Sequence, residues 1–109
     1  MPITILYFVL AALFEIAGCF AFWSWLKESR SPALAALGVV SLVLFALCLT
    51  RVTSAYAGRA FAAYGGIYIA ASLVWVRVVE HGRPDRWDLL GGAVSVLGAL
   101  IIVFGRRAV

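Results

Sequence analysis

Residues 3–25 read ITILYFVLAALFEIAGCFAFWSW, 23 positions with a single carboxylate, Glu15, and no basic side chain. A helix needs roughly 20 apolar residues to cross a bilayer, and this run meets that length without a break. It lacks a basic segment ahead of it, and Lys27-Glu28-Ser29-Arg30 follows it where a signal peptide would carry small residues for cleavage. The run therefore reads as a retained span.

The rest of the chain repeats the pattern. Of its 109 residues, 65% are hydrophobic and 13% charged, and the mean hydropathy is +1.07. That balance is too apolar for a soluble domain of this size. Further apolar runs lie at about 32–49, 57–79 and 86–104. They are continuous rather than alternating, which favours helices over an outer-membrane barrel. The expected fold is an all-α membrane protein, a single domain of four transmembrane helices.

Local signals set the boundaries. Ser31 is placed to cap the second helix with Pro32 at its first position. Arg51 ends that span, and Arg77 can snorkel to the headgroups at the end of the third. Gly82 and Pro84 break the third helix, and Asp85 with Asp88 suits the start of the fourth, leaving Trp87 at an interface. Positive charges are nearly balanced across the membrane. Arg51, Arg59, Arg106 and Arg107 fall on the side of the termini, against Lys27, Arg30, Arg77, Arg83 and Arg86 on the other. This gives a weak bias to termini outside and is equally compatible with insertion in both orientations, hence with an antiparallel homodimer. A net charge of +4 spread over short loops does not call for nucleic acid.

Glu15 lies about 15 Å or more from either end of its span, too far to snorkel. It must face protein or a wet cavity, where a carboxyl can hold or release a proton near neutral pH. Its helical neighbours are Phe8, Ala11 and Ala12 on one side and Gly18, Cys19 and Phe22 on the other, an aromatic and small-residue face. No basic residue on any span sits at comparable depth, so a proton or a cationic solute is the candidate counter-charge. The third span carries Phe61, Tyr64, Tyr68 and Trp75 on one stripe with Ser72, which can either hold an organic cation or simply pack. Gly65-Gly66 midway along it can serve as a hinge or as a close crossing. On the fourth span Gly91, Ser95, Gly98, Ile102 and Gly105 form a small-residue stripe fit for dimerisation or for packing within the chain.

Catalysis finds no support. His81 is the only histidine and stands in a charged loop, the serines and the two cysteines, Cys19 and Cys48, have no base at spanning depth, and no metal, phosphate or cofactor motif occurs. The expectation is a protein that is not an enzyme and binds no cofactor.

Taken together, Ala12-Leu13-Phe14-Glu15-Ile16-Ala17-Gly18, the Gly58 to Tyr64 stretch, Arg83 with Asp85, and heptad-spaced Gly91 and Gly98 resemble the small multidrug resistance transporters. The whole chain is most similar to their YnfA branch, through Phe14-Glu15-Ile16-Ala17-Gly18-Cys19-Phe20, Gly58-Arg59-Ala60-Phe61-Ala62-Ala63-Tyr64-Gly65-Gly66 and Val76-Arg77-Val78-Val79. The resemblance implies a bacterial inner-membrane protein that exchanges protons for small hydrophobic cations as an antiparallel dimer. It implies that Glu15 is the shared proton and substrate site, that Tyr64 replaces the family's binding-site tryptophan, and that Gly91 and Gly98 form the dimer seam. Two positions depart from the multidrug pattern. Phe61 stands where that branch has a tyrosine, and Arg59 adds a charge near the third span that would repel cations or select another solute. The rival expectations are a passive small-ion channel or exporter, and an accessory subunit of a larger membrane complex.

Overall fold

Long apolar runs free of internal proline form helices because only a helix satisfies every backbone N–H and C=O within its own segment in lipid. A computed structural model describes residues 2–52 and 56–105. Four helices account for nearly all of them: α1 (Pro2–Lys27), α2 (Ala33–Leu49), α3 (Ala57–Val78) and α4 (Arg86–Phe104). No strand occurs among the described residues. The fold class is all-α. Helices α1, α3 and α4 are long and apolar enough to cross a membrane, whereas α2 is a shorter apolar helix of 17 residues. Arg106 and Arg107, counted for topology, lie outside the described residues.

The helix ends show where side-chain chemistry decided and where backbone geometry did. The Ser31 hydroxyl accepts the Ala33 N–H at 3.2 Å, as an N-cap serine does for the second helical residue. Regular helix nevertheless starts at Ala33, with Pro32 at φ −60° and ψ −18° as the boundary residue, one position later than expected. Gly82 and Pro84 are expected to break the third helix, but regular helix already ends at Val78, and the left-handed residue in the turn is His81, at φ 59°. Gly82 is needed there for a different reason. Its N–H donates to the Val76 carbonyl at 2.8 Å, and a Cβ on it would stand 2.8 Å from Val76 Cγ1. Ser29, at φ 55°, makes the corresponding reversal after α1. At the start of α4, Asp85 Oδ1 accepts the Asp88 N–H at 2.8 Å and Asp88 Oδ2 accepts the Asp85 N–H at 3.0 Å, a reciprocal capping box.

The chain forms two compact units, one containing α1 and α2 and the other α3 and α4. In the first, α1 and α2 meet at Gly18 and Gly38, both buried. In the second, Gly66 brings α3 against Ser95 and Ala99 of α4, and Gly92 of α4 receives Leu73. Outside these seams the surface is apolar. Leu37, Val40 and Leu47 of α2 and Leu90, Val94, Leu97 and Ile101 of α4 are all exposed, which water would penalise and lipid does not.

Candidate functional site: the Glu15 turn and the tyrosine pair

Glu15 stands thirteen residues from the start of α1 and twelve from its end, about 18 Å or more from either. It is half-buried. The surrounding face is tightly covered: Ala11 and Ala12 are fully buried, and Phe8 and Ile16 nearly so. Alanines at these positions permit close approach of a neighbouring helix.

The turn that carries Glu15 is fastened to α2. A Cβ on Gly18 would lie 2.8 Å from Leu42 Cγ, inside contact distance, so only glycine fits. The Phe22 ring occupies the equivalent space over Gly38, where an added Cβ would meet it at 2.8 Å; Phe22 also packs on Trp25, with centroids 6.1 Å apart. One helical turn from Gly38, Ser41 Oγ donates to the Phe14 carbonyl at 2.6 Å. Sequence reasoning singled out Gly18 and Phe22 but missed Gly38 and Ser41, although a glycine and a serine three residues apart in an otherwise aliphatic helix are a signal of close packing.

In the other unit the aromatic stripe divides. Tyr64 is buried, and its ring packs on Tyr68 with centroids 6.0 Å apart and planes tilted by 59°. Ser72 and Trp75 are half-buried. Phe61 is 56% exposed, so within one chain it does not share the environment of Tyr64, three residues on. Arg59 places its guanidinium 5.3 Å over the Tyr56 ring at the beginning of α3, directing its charge toward the helix end. Lys27 over Trp23 at 5.3 Å and Arg86 over Trp87 at 5.1 Å are similar pairs at the ends of α1 and α4, consistent with interfacial anchoring.

The paired glycines have separate surroundings. A Cβ on Gly66 would meet Ala99 Cβ at 2.5 Å, whereas one on Gly65 would meet nothing within 4 Å. Helix α3 continues unbroken through both. On α4, Gly91 and Gly98 also face open space. The inward face is formed by Gly92 and Ala99, and the Ser95 hydroxyl returns to the Gly91 carbonyl at 2.8 Å. An open groove of about 480 Å³ between α3 and α4 is lined by Leu73, Val74, Val96 and Leu97 among other apolar residues, so it offers no charge for a cation. Cys19 and Cys48 are free thiols, and His81 is exposed in its loop. No cluster of three His, Cys, Asp or Glu suited to a metal occurs among the described residues.

The chain matches, over residues 1–108, the family described as uncharacterised BCR, YnfA/UPF0060. Among curated proteins it is 59% identical to a UPF0060 membrane protein of Pseudomonas fluorescens strain Pf0-1, over 94% of this chain and 93% of the relative. A UPF0060 membrane protein of Ectopseudomonas mendocina is 58% identical over the same shares, and one of Brucella anthropi is 57% identical over 90% of this chain and 92% of the relative. No solved structure matches the chain.

Proposed function

This chain belongs to the YnfA/UPF0060 family of membrane proteins, within the small multidrug resistance-like group, and from that premise we propose that it is a proton-coupled efflux transporter. Its cargo is a small hydrophobic or poorly hydrated cation, moved by alternating access across a bacterial inner membrane that all four helices cross. The observation that carries the reading is Glu15, half-buried at the middle of an otherwise apolar α1. A carboxyl at that depth is costly to keep unless it is used.

Glu15 binds either a proton or the cation, and two copies in an antiparallel homodimer face one cavity. Tyr64 and Tyr68 provide aromatic faces for a delocalised charge. Phe8, Phe22, Phe61 and Trp75 are secondary contacts, and the exposure of Phe61 suits a residue that meets substrate or a second copy. Gly91, Ser95 and Gly98 form the seam between copies. Gly65, open on its Cβ side, is the candidate hinge. Because proton and cation compete for the same carboxylates, an inward proton gradient drives cations out.

Vesicles containing the purified protein test this directly. A pH gradient should drive tetraphenylphosphonium flux, and Glu15→Gln should abolish it. Flux that survives the substitution unchanged removes the mechanism, and electrogenic flux without any pH gradient favours a passive channel instead.

A further inference from the structure

We infer that Ser41 is the positioning residue for Glu15: its hydroxyl fixes the rotational setting of α1 on α2 and so decides where the carboxyl points. The inference deepens the proposed transport role of Glu15 and rests on it.

A serine in a membrane helix ordinarily bonds to a carbonyl of its own preceding turn. Ser95 does so, donating to Gly91 four residues back. Ser41 instead reaches across to α1, donating to the Phe14 carbonyl at 2.6 Å. That carbonyl belongs to the peptide unit whose nitrogen is Glu15's own. It already faces the Gly18 N–H along the helix, so the serine uses its second lone pair.

At the neighbouring glycine contact the helices meet through apolar surfaces, Leu42 on Gly18 and Phe22 on Gly38. Such contacts hold the helices together with no preferred direction. A directional hydrogen bond supplies one. The contact centre at Gly18 lies about 60° around the helix from Glu15, which leaves the carboxyl at the edge of the seam, where small rotations change its exposure most. A roll of about 30° would carry a group about 5 Å from the axis through about 2.6 Å, enough to spoil a binding geometry.

The test uses full-length protein in bilayers with 13C-labelled glutamate, since only Glu15, Glu28 and Glu80 contribute carboxyl resonances and Glu15→Gln identifies the one of interest. Ser41→Ala should displace or split the Glu15 resonance while leaving Glu28 and Glu80 in place. It should raise the half-saturating tetraphenylphosphonium concentration about three- to tenfold, the worth of one hydrogen bond, with maximal flux within about twofold. Ser41→Thr, which keeps the donor, should restore both. A Ser41→Ala protein with the wild-type Glu15 resonance and half-saturation overturns the inference, and so does a general collapse of all three resonances that threonine fails to rescue. If even the unsubstituted protein carries no flux, the transport reading fails, and the resonance measurement still decides the role of Ser41.

Discussion

A Cβ on Gly38 would stand 3.0 Å from the Gly18 carbonyl oxygen, and a Cβ on Gly18 would stand 3.0 Å from the Gly38 carbonyl oxygen. Each glycine is therefore the space into which the other's backbone fits. Gly18→Ala and Gly38→Ala should each destabilise the α1–α2 pair by about 1–3 kcal/mol, the usual cost of overpacking. Both added methyls meet a side chain and the facing carbonyl, but Gly38→Ala is expected to be the worse of the two, because the rigid Phe22 ring at 2.8 and 2.9 Å yields less than the Leu42 side chain does. Thermal unfolding in detergent, followed by tryptophan fluorescence, should lower the transition in that order.

Gly65 and Gly66 invite a paired experiment. Gly66→Ala collides with Ala99 and should cost about 1–3 kcal/mol, whereas Gly65→Ala meets open space and should gain a few tenths of a kcal/mol or more from the better helix former. If Gly65 is the hinge, the same Gly65→Ala protein will be stable and slow: unfolding goes up while cation flux in vesicles goes down.

Gly91 and Gly98 point away from α3, so substituting them should spare the chain's own packing. Gly91→Leu with Gly98→Leu is expected to keep the helical circular dichroism of the native protein and to lose self-association. Energy transfer between two labelled populations in bilayers measures this, and undiminished transfer would remove Gly91 and Gly98 from the proposed seam.

The reciprocal bonds between Asp85 and Asp88 give α4 a defined beginning. Asp85→Ala should lower stability by about 1 kcal/mol, within the range for losing an N-cap. Asp85→Asn should recover most of the loss because the amide oxygen still accepts the Asp88 N–H. Thermal unfolding of the two variants, compared in the same detergent, checks the recovery.

Much of this architecture was legible in the residues because lipid imposes so simple a rule. Continuous apolar length marked the four helices, and Asp85 with Asp88 announced their own capping bonds. The turn after α3 was harder, since Gly82 carries the familiar turn signal while His81 takes the left-handed conformation; the need for glycine came from Val76, six residues back, a contact invisible to local patterns. At the candidate site Glu15 and Gly18 stood out as chemically odd or unusually small. Gly38 and Ser41 did not, because their meaning depends on which face of α2 meets α1. Periodicity placed Phe61 and Tyr64 on one stripe, but positions three residues apart still differ by about 60° around the helix, enough for Tyr64 to be buried and Phe61 exposed at the edge of the packed face.

The brevity of α2 has a mechanical consequence. Seventeen residues rise about 25 Å, short of a hydrocarbon layer of about 30 Å, while the 26 residues of α1 rise about 39 Å. Bound together at Gly18–Gly38 and Phe14–Ser41, the short rod and the long one cannot each adjust to the bilayer alone. Any thickening of the lipid pulls on the crossing beside Glu15, at a fraction of a kcal/mol per ångström. Membrane thickness, set by acyl-chain length, thereby becomes a control on the carboxyl's surroundings, and the proposed flux should change with it.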